Sequence, residues 1–156
     1  MFRSILKNSL KTILNTVFKT TLVSTLLLTH FAVNAEQFKA FSNLEVHYIA
    51  LPSTFIQPEI AKQYGIKRSK KNGLLNISIL DRRQDKAAVT AKLTGIGRNL
   101  IGQTHQLTFT EVKEGKAIYY LAEYPYLNEE IVNFEINVRT EKKSNTLKFQ
   151  HKFYVE

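Results

Sequence analysis

The chain has no cysteine and no tryptophan, and its 156 residues include only six glycines, three prolines and one methionine. Without thiols there is no disulfide, no nucleophilic cysteine and no acylated amino-terminal cysteine. With so little glycine and proline, no linker interrupts the sequence, and no internal repeat is present. Acidic residues are missing from the first 35 positions, which hold Arg3, Lys7, Lys11 and Lys19. The formal charge of +9 therefore falls to +5 over residues 36–156, with 18 basic against 13 acidic side chains. That excess suits solubility and weak attraction to anionic surfaces, and it does not argue for nucleic acid. What is present in normal amount is apolar surface: 44% hydrophobic and 22% charged residues describe a globular chain rather than a disordered one.

The amino-terminal 35 residues have the form of a secretory signal. A basic region ends at Lys19, "TLVSTLLLTHF" (21–31) supplies the apolar core, and Val33 and Ala35 stand at the −3 and −1 positions of a cleavage site before Glu36. The apolar core is shorter than the roughly 20 residues that a bilayer-spanning helix requires. The expectation is a periplasmic protein cleaved after Ala35, with residues 36–156 as one domain. Its length allows a core to form without metal or disulfides.

Period-two alternation dominates beyond Phe41. "NLEVHYIAL" (43–51) sets Leu44, Val46, Tyr48 and Ala50 against Glu45 and His47. "EIVNFEINVR" (130–139) and "TLKFQHKFYV" (146–155) alternate in the same way, and less regular strands are read at 74–81, 88–97, 105–113 and 117–125. In "QPEIAKQYG" (57–65), Pro58 sits where a first helical turn tolerates it and Gly65 where a helix ends, so one short helix follows the first strand. Gly115 in "KEGK" should close a hairpin at positive φ, Gly95 and Gly97 mark a bulge or bend, and Asn72-Gly73 makes a turn. Seven antiparallel strands in this length predict an all-β immunoglobulin-like sandwich, with a small β-barrel as the alternative.

Catalytic patterns are scarce. No G-x-S-x-G surrounds a serine, and His47, His105 and His151 form no H-x-H or H-x-x-x-H pair. Glu111/Glu114 and Glu129/Glu130 read as turn and strand-edge charges. Nothing requires a cofactor, a metal or a catalytic residue, so the chain reads as a binding module rather than an enzyme. Two surfaces stand out. In "IYYLAEYPY" (118–126), Tyr120 and Tyr124 share one face of a strand and Tyr119 the other, offering an aromatic row for packing or for a partner. In "GIKRSKKNG" (65–73), Lys67, Arg68, Lys70 and Lys71 crowd five residues. They lack the interleaved aromatics of a single-strand nucleic-acid reader, and near an anionic membrane they would give weak electrostatic contact of about 1 kcal/mol per lysine.

"QPEIAKQYGIKRSKKNGLLNISIL", "LTGIGRNLIGQTHQLTFTEVKEGKAIYYLAEYP" and "LKFQHKFYVE" resemble a family of small exported proteins of Gram-negative bacteria, a domain of unknown function (family 4426). The resemblance implies a periplasmic β-sandwich with no assigned reaction and no catalytic residues to carry over. It also implies that Tyr64, Gly65, Arg68 and Ser69 belong to a shared structural motif. The resulting expectation is a module binding a partner protein or envelope component through Tyr64, Arg68, Ser69, Tyr119 and Tyr124. The alternative is an enzyme or a small-ligand or metal carrier with a pocket near Tyr124, His105 or His151.

Overall fold

The computed structural model describes residues 37–155, and the secretory-signal reading of residues 1–35 lies outside them. The described residues form two antiparallel sheets. Their strands are β1 (Gln37–Phe41), β2 (Leu44–Pro52), β3 (Asn72–Asp81), β4 (Ala87–Ala88), β5 (Lys92–Asn99), β6 (Thr104–Leu107), β7 (Thr110–Glu114), β8 (Ala117–Pro125), β9 (Ile131–Arg139) and β10 (Ser144–Lys152). One sheet runs β1-β2-β3-β8-β7 with β4 paired to β3, and the other runs β10-β9-β5-β6. With β2, β3, β8 and β7 read as A, B, E and D, and β10, β9, β5 and β6 as G, F, C and C′, the order is that of an immunoglobulin-like sandwich. The barrel alternative falls, because neither sheet closes on itself.

The core lies between the inner faces. Val46, Leu75, Ile77 and Ile79 of one sheet meet Val132, Phe134, Ile136, Val138 and Leu147 of the other, and each is at most 1% exposed. Alternation supplies these residues, since every second side chain of a strand points to the same face.

Several expectations needed correction. Ten strands stand among the described residues instead of seven. β1 was missed because "QFKAF" is short and almost fully exposed; pairing with β2 across the Ser42-Asn43 turn holds it in place. The helix accordingly follows the second strand. The expected strand at 105–113 divides at Thr108-Phe109, where the chain leaves one sheet as β6 and enters the other as β7. Gly95 and Gly97 create no bulge, because β5 pairs with β9 in unbroken register from Lys92 to Asn99. Gly97 is required by close approach: a Cβ there would lie 2.4 Å from Tyr124 Cε2 and 2.9 Å from Phe134 Cε1. Asn72 and Gly73 are not a turn but the buried start of β3, opposite Pro125 and Tyr124.

The helix and hairpin read correctly. Helix α1 spans Pro58–Gln63, with Pro58 in its first turn. Gly65, at φ +67°, ends it, while Ile66 N–H donates to Ala61 O at 2.8 Å and Gly65 N–H to Lys62 O at 3.4 Å, the Schellman pattern. Gly115 takes φ +58° in the two-residue connection from β7 to β8.

Candidate functional site

The junction that carries the densest positive charge is built inward on Ser53. This side chain is fully buried; its hydroxyl lies 2.9 Å from Lys67 O and 3.2 Å from Ser69 O, and it accepts from Ser69 N at 3.0 Å. Asn72 Nδ2 donates to Lys67 O at 2.7 Å, and Lys67 N to Glu123 Oε1 at 2.6 Å. Arg68 Nε donates to Ile56 O at 2.8 Å and its Nη2 to Thr54 O at 3.0 Å. The guanidinium thus satisfies carbonyls of the 3₁₀ turn Ser53–Phe55 and the residue after it, which would otherwise need water. Tyr64 hydrogen-bonds the Glu114 carboxylate, which holds its phenol above the usual range. Tyr64, Arg68 and Ser69 are therefore brought together as structural ties, beside a cleft of about 290 Å³ that Tyr64, Ile66, Leu121 and Glu123 help to line.

The aromatic row divides by parity. Tyr119 is half-buried on the outer face of β8. Tyr124, expected among surface binding residues, lies fully buried between the sheets, where it belongs to the core. His105 packs edge-on against it at 5.4 Å, Phe153 stacks at 6.1 Å, and His151 meets Phe153 at 4.5 Å. These residues form a chain of packed rings. Burial pushes the Tyr124 phenol up to about 12, aided by the charge of Glu130, and pushes His151 below its ordinary value.

Glu45 and His47, read as the polar face of their strand, are also buried. Phe38 of β1 stacks on His47 at 5.2 Å, and Glu45 lies 3.2 Å from His47 Nε2, 3.5 Å from Arg82 and 3.3 Å from Lys86. Burial opposes ionisation of Glu45, but His47 and Lys86 outweigh it and hold the carboxyl below its usual range. At the opposite end from the junction, a polar cavity of about 490 Å³ lies between the β1–β2, β3–β4 and β9–β10 connections.

The feature that sequence reasoning missed is assembled from four segments at the junction's end of the sandwich. The register brings them there: Pro52 pairs with Gly73, Asn72 with Pro125, Asn99 with Val132 and Lys152 with Ile131. Glu130 is the hub. Its Oε1 accepts from Asn99 Nδ2 at 2.8 Å, its Oε2 from Leu127 N at 2.8 Å, and its carbonyl from Phe153 N at 2.9 Å. Asn99 in turn closes the β5–β6 turn, accepting at Oδ1 from Gln103 N at 2.8 Å. Asn128 Oδ1 accepts from Val155 N at 2.9 Å, Tyr126 O–H donates to Tyr154 O at 3.2 Å, and Tyr126 N donates to Lys71 O at 3.0 Å. Tyr126 also stacks on Phe153 at 4.4 Å.

This scaffold presents apolar side chains to solvent. Ile101 is 79% exposed, Leu100 67%, Leu127 63% and Tyr154 50%. A lone exposed leucine carries little information, but four exposed apolar side chains on segments tied together by hydrogen bonds make this end a candidate patch. Lys70 and Lys71 flank it without an ion pair among the described residues, and Lys152 sits 4.9 Å over the Tyr154 ring while bonding Glu129 at 2.9 Å. The signal available in the sequence was "NLIGQ", two consecutive large aliphatics in a turn.

The fold and the patch define an immunoglobulin-like β-sandwich with an apolar, lysine-flanked loop end. A domain of unknown function, DUF4426, matches residues 38–156, and the chain belongs to that family. It is similar to the crystal structure of a DUF4426 family protein of Pseudomonas aeruginosa PAO1, at 33% identity over 80% of this chain and 98% of that one, with a TM-score of 0.70. A copper-bound variant of FetP from uropathogenic Escherichia coli strain F11 shares the fold at 11% identity, covering 78% of this chain and 97% of that one (TM-score 0.57). FetP as isolated after recombinant expression in the periplasm matches at 12% identity over 77% and 94% (TM-score 0.57). No curated protein matches.

Proposed function

We propose that this chain is a non-enzymatic binding module of the periplasm that docks on an envelope component through its loop end. The observation that carries this reading is the rigid display of Leu100, Ile101, Leu127 and Tyr154 around the Glu130 hub. Exposed aliphatics do not stabilise the fold that carries them, and the hydrogen bonds that fix their loops have already met the ordering cost that docking would otherwise incur. Arg68 and Ser69 support this surface from behind by holding the connection that leads to Lys70 and Lys71. The signal-like first 35 residues support a location outside the cytoplasm.

The copper bound by the FetP variant does not transfer on the residues present here. Among the described residues no three histidine, cysteine or carboxylate side chains converge, and the only methionine is Met1. The Glu45 carboxylate beside His47 is already paired with the cations Arg82 and Lys86, whose charge repels a metal ion.

The test is photo-crosslinking in living cells from a reactive residue placed at Ile101, compared with one at Lys142 in the β9–β10 turn of the opposite end. Adducts from Ile101 that are absent from Lys142 support docking through the loop end. No adduct from Ile101 removes this reading.

A further inference from the structure

The patch at the loop end has the chemistry of a membrane contact. We infer that its ligand is the surface of an anionic phospholipid bilayer, an inference that rests on the docking reading above and names its partner. Three observations select a bilayer. Leu100 and Ile101 stand on the β5–β6 turn, Leu127 on the β8–β9 connection and Tyr154 on the segment after β10, so each projects from a strand end, the shape that enters a soft lipid phase. All four are at least half exposed. The surrounding charge is mostly positive: Lys70 and Lys71 have no ion pair among the described residues, Lys152 neutralises Glu129, Arg98 precedes Asn99 on β5, and the Glu130 carboxylate is turned to Asn99 and the Leu127 amide.

The parts divide the work by depth. Leu100, Ile101 and Leu127 enter the acyl boundary, where aliphatic burial is favourable. Tyr154 lies at headgroup level, as amphipathic rings do at membrane interfaces, with the Lys152 ammonium held over its face. Lys70 and Lys71 meet lipid phosphates, which makes attraction depend on anionic lipid and on salt. A second copy of the chain fits poorly as occupant. An isologous contact between two such ends would gather Lys70 and Lys71 of both copies in one interface, where like charges repel.

The experiment is co-sedimentation with large vesicles of phosphatidylglycerol mixed into phosphatidylcholine, against phosphatidylcholine alone. It uses the chain from Glu36 onward, whose core closes within residues 37–155. The expected result is partitioning that is at least tenfold stronger on anionic vesicles and weakens with salt. Ile101→Asp with Leu127→Asp should lower it at least tenfold, and Lys70→Glu with Lys71→Glu should remove the preference for anionic lipid. All four positions are exposed, and unchanged melting temperatures verify that the variants fold. Failure to bind anionic vesicles at low salt, or binding unaffected by the aspartates, overturns the inference. If Ile101 crosslinks to a protein in cells while vesicles stay unbound, docking stands and the bilayer falls. A dimer in solution that Ile101→Asp splits would assign the patch to a second copy and likewise overturn it.

Discussion

Replacing Gly97 by alanine tests the packing between the sheets at its tightest point. The added Cβ would lie 2.4 Å from Tyr124 Cε2, 2.9 Å from Tyr124 Cδ2 and 2.9 Å from Phe134 Cε1. Non-bonded carbons rest about 3.5–4.0 Å apart, so a ring must withdraw by about 1 Å. Neither ring has room, since the two pack edge to face at 5.3 Å, with Tyr124 fully buried and Phe134 1% exposed. The expected cost is about 3 kcal/mol, the upper part of the overpacking range. In a chain of this size that lowers the melting temperature by about 10 °C. Urea and thermal unfolding followed by circular dichroism would measure it. Gly102→Ala is the control: its φ is +85° but nothing lies within 4 Å, so only backbone strain of about 1–2 kcal/mol applies. In a Tyr124→Leu background the Gly97→Ala cost should shrink by at least about 1 kcal/mol, because contacting sites couple. A Gly97→Ala variant within about 0.5 kcal/mol of the parent would refute the reasoning, as would strict additivity with Tyr124→Leu.

Arg68→Ala should destabilise by about 1 kcal/mol through loss of two bonds to the Thr54 and Ile56 carbonyls, and Arg68→Lys should recover only part, since lysine lacks the fork; chemical unfolding decides. Tyr120 and Tyr124 should respond oppositely to loss of the hydroxyl. Tyr120 O–H donates to Glu111 and accepts from Ala91 N, both at 2.8 Å, so Tyr120→Phe destabilises. Tyr124 Oη is buried without a hydrogen-bond partner among the described residues, so Tyr124→Phe is neutral or stabilising. Both phenols are pushed up to about 12, so the unfolded chain ionises first; their contribution is intact below pH 10 and is lost as pH rises toward 12. An absorbance titration of tyrosinate should show these two ionising late. Burial lowers the pKa of His151 below the ordinary imidazole value, so acidification protonates the unfolded chain first and stability falls below about pH 6.5. In His151→Gln the melting temperatures at pH 7.5 and 5.5 should lie closer together than in the parent.

Much of the fold was legible because half-buried strands display their geometry as alternation. Val132, Phe134, Ile136 and Val138 point inward as read, and the caps of α1 follow from Pro58 and Gly65. What alternation cannot show is which sheet a strand joins, so 105–113 looked continuous although the chain changes sheets at Thr108-Phe109. Nor can it reveal cover from elsewhere: Glu45 and His47 are buried by Phe38 and the residues around Arg82 and Lys86, which pairing with β1 and β3 brings in. Gly97 looked like a bend because the rings that demand it come from β8 and β9. Arg68 was read as a candidate binding residue, yet its partners are carbonyls 12 and 14 residues earlier. The loop-end patch escaped notice for a similar reason, since Leu100, Ile101, Leu127 and Tyr154 become neighbours only through Glu130.

The most direct measurement exploits the absence of cysteine. Ile101→Cys, Leu127→Cys and Lys142→Cys, made singly, each provide a unique attachment point for an environment-sensitive fluorophore. On phosphatidylglycerol-containing vesicles, labels at positions 101 and 127 should shift to the blue and become shielded from aqueous quencher, while the label at 142 stays in water. Equal shifts at all three positions, or none at 101 and 127, would contradict insertion through the loop end.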